Sequence, residues 1–132
     1  MQRLPTTKKN HRSNMRQIES KIQQICVEWF RFQYPKLAKL LFAVPNGGYR
    51  NQSTASHMKA EGVVAGVADL ILLIPSQGFH ALCIEMKTEK GRQSDKQKIW
   101  QQLVESHGYK YVICHSSQSF FVEVQKYLQK SL

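Results

Sequence analysis

Ile18, Ile22, Ile25 and Trp29 recur at spacings of four, three and four, which places them on one face of a helix over residues 14–33. Ser13 or Asn14 can cap its start, and Tyr34-Pro35 ends it, because proline disfavours helix in the residue before it. At ~100° per residue, Glu19 sits on one edge of that apolar face beside Cys26 and Phe30, and Glu28 on the opposite edge. A carboxylate at the margin of a buried stripe needs a partner, and the periodicity leaves either acid open as the one that has it. Residues 40–44 form a short apolar run, read as a first strand. Pro45-Asn46-Gly47-Gly48 is a tight turn, and 49–62 is polar and basic, with one or two helical turns ending at Gly62.

Leu70-Ile71-Leu72-Leu73-Ile74 is apolar on both faces, as a central buried strand should be. Ser76-Gln77-Gly78 is the turn, and 80–87 the return strand of a hairpin over 69–87. Alternation sends Ala81, Cys83, Glu85 and Lys87 to one face, and Leu82, Ile84 and Met86 to the other. Ser94 or Asp95 caps a helix that runs to His107, with Ile99, Trp100, Leu103 and Val104 as its apolar side and Gly108 as its stop. A fourth strand covers 109–114. A last helix covers 117–130, with Phe120, Phe121, Val124 and Leu128 inward. The order is helix, three strands, helix, strand, helix.

Composition narrows the picture. The 132 residues suit one domain with a real core, being 42% hydrophobic and 21% charged. The longest apolar run, 70–75, is far short of the ~20 residues of a membrane helix, and the basic N-terminus has no apolar stretch behind it to make a signal peptide. Cys26, Cys83 and Cys114 are odd in number and widely spaced, which argues against a disulfide framework or a zinc knuckle and for a reduced, cytosolic protein. Nineteen Lys and Arg against nine Asp and Glu give +10 at pH 7. That excess points to a polyanion, above all nucleic acid, because each cation that meets a phosphate releases counterions. Residues 1–13 carry Arg3, Lys8, Lys9, His11 and Arg12 and no acid, and read as a basic flexible arm ahead of a domain over 14–132.

The chemistry concentrates at the hairpin. With the turn centred on Gln77, residue i faces residue 154−i, so Asp69 lies across from Glu85 with side chains ~5 Å apart. Two such carboxylates repel unless one is protonated or a cation sits between them. Hard oxygen ligands at a sheet end suit Mg²⁺ or Mn²⁺. Lys87, on the face of Glu85, can hold an attacking water or offset phosphate charge. The alternative is a cross-strand Asp/Glu/Lys cluster making ordinary ion pairs, since D-x₁₅-E-x-K alone is a weak pattern. The five histidines show no metal spacing, Cys83 has no evident base, Trp100, Phe120 and Phe121 read as core, and Gly47-Gly48 is followed by no GK[ST].

Taken together, Pro45-Asn46-Gly47-Gly48-Tyr49-Arg50-Asn51, Met58-Lys59-Ala60-Glu61-Gly62-Val63, Gly66-Val67-Ala68-Asp69-Leu70, Ile84-Glu85-Met86-Lys87, Gly91-Arg92-Gln93-Ser94, Gln97 and Gly108-Tyr109 resemble the VRR-NUC family of the PD-(D/E)XK nuclease superfamily. The resemblance spans roughly residues 15–120 and is to the small stand-alone members of phages and bacteria. It implies an α/β, restriction-endonuclease-like core: a mixed four-stranded sheet flanked by helices in the order α-β-β-β-α-β-α, in a bacterial or phage-infected cytoplasm. It implies that Asp69 and Glu85 bind metal, with the carbonyl of Met86 as a further ligand, and that Lys87 is catalytic. Glu19 matches the family's first-helix acid, which favours it over Glu28 and makes it a further metal-binding residue. Gln97 matches a glutamine on the helix after E-x-K, suited to water or phosphate contact. The family's proline before the Asp is here Ala68, which frees the backbone and removes no ligand.

The expected protein is a Mg²⁺- or Mn²⁺-dependent nuclease that hydrolyses phosphodiester bonds in DNA. Arg50, Lys59, Lys90 and Arg92 are its candidate backbone contacts. A compact core of this size covers little duplex, so a two-fold pair is expected, as the resemblance also implies: a homodimer acting on branched DNA such as four-way junctions, with an interface from the spare apolar residues Phe30, Phe32, Tyr34 and 37–41, against the alternative of a monomeric nicking enzyme of broad specificity. The alternatives are a non-catalytic nucleic-acid-binding module on a nuclease-like scaffold, and an RNA-directed nuclease.

Overall fold

A computed structural model describes residues 8–45 and 52–129, with backbone alone at 8–12, 52 and 53. The elements are α1 (Lys8–Gln33), a 3-10 helix (Pro35–Leu40), β1 (Leu41–Ala43), α2 (Gln52–Ala60), β2 (Leu70–Leu72), β3 (Leu82–Met86), α3 (Asp95–Ser106), β4 (Lys110–Cys114) and α4 (Ser117–Leu128). The sheet order is β1-β2-β3-β4, antiparallel except for the parallel pair β3–β4. This is the mixed four-stranded sheet flanked by helices that the sequence predicts, with two helical elements more, the 3-10 helix before β1 and α2 after it. Residues 52–60 form a full helix, α2, where the sequence suggests only a turn or two.

All five residues of β3 are buried, because helices cover both of its faces. On one face Leu82, Ile84 and Met86 join Leu70 and Leu72 in a core closed by α1 (Cys26, Phe30) and α4 (Phe120, Val124, Leu128). On the other, Cys83, Tyr111 and Ala68 pack under Trp100 and Val104 of α3. Ile99 and Leu103 do not contribute, being 66% and 54% exposed, so the buried side of α3 is narrower than its apolar pattern.

α1 departs from its periodicity in two ways. It starts at Lys8, so residues 8–13 of the expected arm are helical; 1–7 lie outside the described residues. Its buried face is also rotated. Cys26 and Phe30 are fully buried, while Ile18 and Ile25 are half-exposed. The helix must fit beneath α4, and the aromatic cluster of Trp29, Phe30, Tyr34 and Phe120 sets that fit. Glu19 therefore stands on the buried face, about two turns ahead of Cys26, and Glu28 is exposed. Because Phe30 is fully enclosed within one chain, it is removed from the expected dimer interface.

The register of the hairpin is as predicted: Leu70 pairs with Ile84 and Leu72 with Leu82. The paired stretch is shorter than 69–87 because the tip, where Ser76 bridges Phe79, is one residue out of step. Three residues (73–75) separate β2 from the tip and two (80–81) separate it from β3, and the extra position includes Pro75, which has no N–H to pair. Gln77 and Gly78 carry positive φ, as a two-residue hairpin turn requires. The 46–48 part of the turn after β1 and Arg50 lie outside the described residues.

Candidate active site

β2 and β3 carry Asp69 and Glu85 to the same end of the sheet. Asp69 directly precedes β2, and the register that pairs Leu70 with Ile84 sets it across from Glu85. Main-chain and side-chain bonds hold it there. Its carbonyl accepts from the Val44 N–H (2.9 Å), and its Oδ2 accepts from the Met86 N–H (2.7 Å). The Met86 side chain belongs to the core on the α1/α4 face, so only its main chain reaches the site. Glu85 and Ile71 lie on the α3 face with Asp69, as alternation requires.

Glu85 is 0% exposed. Its Oε1 accepts a 2.5 Å hydrogen bond from the Tyr111 hydroxyl, and its Oε2 is buried without a partner. Burial pushes the Glu85 carboxyl up from its ordinary range; the Tyr111 bond and Lys87 oppose that, and Asp69 adds to it. Tyr111 is itself raised by burial and by Glu85, so it stays protonated as the donor. Gln93 donates to Gln101 (2.8 Å) and to the Tyr111 oxygen (3.4 Å), which extends the network from the carboxylate to α3.

Asp69 opens onto a cleft of about 690 Å³ whose walls also include Arg16, Glu19, Gly66, Lys87 and Lys96. Glu19 is raised by burial first and by Asp69, and lowered by Lys87, by the Thr88 N–H that it accepts and by Arg16. The cleft thus gathers Glu19, Asp69 and Lys87, while Glu85, across from Asp69, is buried behind its lining. Gly66, at φ +88°, closes one wall, because a Cβ there would come within 2.7 Å of the Lys96 main chain in the first turn of α3. That contact holds the approach to Asp69 against the start of α3. Ser94 caps α3 in a capping box: its hydroxyl accepts from the Gln97 N–H, and the Gln97 Oε1 accepts from the Ser94 N–H at 2.8 Å. Gln97 reaches the cleft rim with that oxygen committed to the cap.

The other candidates separate. Lys59 is exposed at the end of α2. Lys90 and Arg92 line a different cleft. Cys83 is buried and its thiol is pushed up to about 11, so it holds no thiolate at neutral pH. Tyr111, Gln93, Arg16 and Lys96 were not singled out in the sequence. A buried tyrosine needs a hydroxyl partner, but the partner follows from the parallel register Cys83↔Tyr111 and Glu85↔Ile113, which pattern does not carry.

An unpartnered buried carboxylate oxygen, beside a second acid that repels it, fits a cation. Among the described residues no three His, Cys, Asp or Glu side chains close into a metal-holding group. Asp69 and Glu85 offer two hard carboxylate ligands, the kind of donor set by which Mg²⁺ is held when waters and substrate phosphate complete its shell.

A family model described as the VRR-NUC domain matches residues 11–118. A solved structure titled "VRR_NUC domain protein" is 25% identical to this chain and superposes with a TM-score of 0.74, covering 84% of this chain and 88% of that one. No curated protein matches.

Proposed function

Since this chain belongs to the VRR-NUC domain family and has a nuclease-type fold, we propose that it is a divalent-metal-dependent hydrolase of phosphodiester bonds in DNA. The observation that carries this reading is the lone Oε2 of Glu85, buried across from Asp69, which itself lines a cleft with Arg16, Lys87 and Lys96. A buried ionised oxygen without a partner is costly to keep, and a cation offsets that cost. In this reading Asp69, Glu85 and the Met86 carbonyl hold Mg²⁺ or Mn²⁺, with Glu19 as the outer acid. Such an ion, when bound, activates water and neutralises charge on the phosphate. Lys87, which interacts electrostatically with both Glu19 and Glu85, orients the attacking water. Arg16 and Lys96 draw the phosphate in.

The finer reading is a homodimer that cuts branched DNA. Its support is the apolar surface left uncovered on one chain: Phe32 is 83% exposed, Phe42 42% and Leu40 37%, on α1, β1 and the 3-10 helix between them. With Phe30 excluded, these are the residues for the interface. A two-fold pair would present two clefts to a substrate of matching symmetry. Light scattering that returns the mass of one chain at micromolar concentration refutes the pair.

The deciding experiment is a cleavage panel of duplex, flapped, four-way and single-stranded DNA, with single-stranded RNA beside them, with and without Mg²⁺. DNA cleavage that needs the cation and is lost in Asp69→Asn, Glu85→Gln and Lys87→Ala, each still folded, is the expected result. Near wild-type cleavage by Glu85→Gln refutes the assignment. Binding without cleavage of any substrate favours the non-catalytic module, and cleavage of RNA alone favours the RNA-directed enzyme.

A further inference from the structure

Behind the active-site cleft lies a second cleft of about 410 Å³, lined by Lys90, Arg92, Lys98, His115, Gln93 and a single acid, Glu89. We infer that this is a second, non-catalytic site for the nucleic-acid backbone, taking phosphates that flank the one to be cut. The inference rests on the nuclease reading and adds to it the path of the strand. Among the described residues none of the three cations is held in an ion pair, so their charge is available to a ligand. One acid against three cations suits an anion, and the cleft lacks the paired carboxylates that chemistry at phosphorus needs.

The two clefts share one narrow ridge, the turn at 88–91. Thr88 ties it to both sides. Its N–H is accepted by Glu19 of the first cleft. Its carbonyl accepts from the Gly91 N–H (3.0 Å) and from His115 Nδ1 (2.8 Å) of the second. A carbonyl only accepts, so His115 carries its proton on Nδ1 in that bond. Gly91 keeps the ridge thin: a Cβ there would lie 3.1 Å from Thr88 Oγ1 and 3.3 Å from Lys87 Cβ. Lys87 thus stands on one flank of the ridge and Lys90 and Arg92 on the other. α3 straddles it too, because Lys96 and Lys98 are two residues apart, about 200° around the helix, and line the first and second cleft respectively. Gln93, in the wall of the second cleft, touches Tyr111, which holds Glu85. A strand crossing the ridge would meet cations on both flanks while its scissile phosphate rests over Asp69. Such contacts fix register without reading sequence.

The test uses the full chain carrying Asp69→Asn in EDTA, so that binding is measured without cleavage. Affinity for a short fluorescent DNA duplex is followed by anisotropy against salt. Arg92→Ala with Lys98→Ala should lower the slope of log affinity against log salt by about two, one for each lost phosphate contact. The charge-matched control is Lys36→Ala with Lys39→Ala, on the 3-10 helix that packs on β1 at the opposite edge of the sheet; it should leave the slope nearly unchanged. Equal changes in the two double variants, or no change in the first, overturn the second cleft. Unaltered binding by the first pair together with Mg²⁺-dependent cleavage by the wild type sinks the cleft and leaves the nuclease reading standing. Weakened binding by that pair in a protein that cuts no nucleic acid under any divalent cation does the reverse.

Discussion

The two faces of β3 are covered very differently. Toward α1 and α4 the strand presents Leu82, Ile84 and Met86 to a buried apolar cluster that includes Cys26, Phe30, Phe120, Val124 and Leu128. Toward α3 it presents Cys83 and Glu85, and α3, a twelve-residue helix, has no fully buried residue to set over them. Trp100 and Val104 cover that side only in part, and a polar chain of Glu85, Tyr111, Gln93 and Gln101 runs beside them. One strand therefore serves two purposes. Its first face supplies the apolar burial that stabilises the fold. Its second face tolerates a buried acid because the first face is sealed by two helices.

This contrast can be broken by substitution, beginning with the largest effect. Phe120→Ala, which empties a fully buried site on the α1/α4 face, should destabilise the protein by about 3–5 kcal/mol in urea unfolding. Its cleavage per folded molecule should be unchanged; a loss below about 1 kcal/mol would show that this face does not carry the stability. Next is the acid of α1, which stands where the two purposes meet. Glu19→Gln should slow cleavage about 10²-fold, equivalent to ~2.7 kcal/mol of barrier, while Glu28→Gln on the exposed side leaves it alone. Equal rates for the two variants would remove Glu19 from the site.

On the α3 face, Tyr111→Phe keeps the ring in place and deletes only the donor to Glu85. Divalent-cation affinity should fall about tenfold, as when an outer partner of a metal ligand is lost. Calorimetric titration with Mn²⁺ would measure this, and an unchanged affinity would leave Tyr111 as packing alone. The smallest effect is the dependence of stability on pH without metal. Burial raises Glu85 and Glu19 above their ordinary value of 4.5, so the native state holds protons that the unfolded state has released. Stability from these groups is therefore full below about pH 4.5 and lost as pH rises through the raised values. In EDTA, Glu85→Gln should lose less stability than wild type between acid and neutral pH, by about 1 kcal/mol. Parallel melting curves would show that Glu85 is already compensated within the chain.

Several of these features are legible in the sequence because they depend on neighbours along the chain. Ser94 three residues before Gln97 forms a capping box with itself, and Gly108 ends α3 through its own positive φ. The hairpin itself is marked by a short turn at Gln77-Gly78, but the facing of Asp69 with Glu85 also needs the extra position between β2 and the tip, which puts the strands one residue out of step with that turn. The nuclease family shows itself in the same way, through ordered local motifs.

What needed the tertiary structure are the choices among equally good local patterns. Ile18 and Ile25 are as apolar as Ile22, yet packing beneath α4 turned them outward and turned Glu19 inward. Ile99 and Leu103 match Trp100 and Val104 in period, but a single helix on a four-stranded sheet buries only the narrower stripe. Tyr111 reaches Glu85 through a parallel pairing whose register is set by the whole β3–α3–β4 crossover. Local rules settle where an element begins and how its residues alternate. Which side of it faces inward is decided by the surfaces that meet it, and those come from distant parts of the chain.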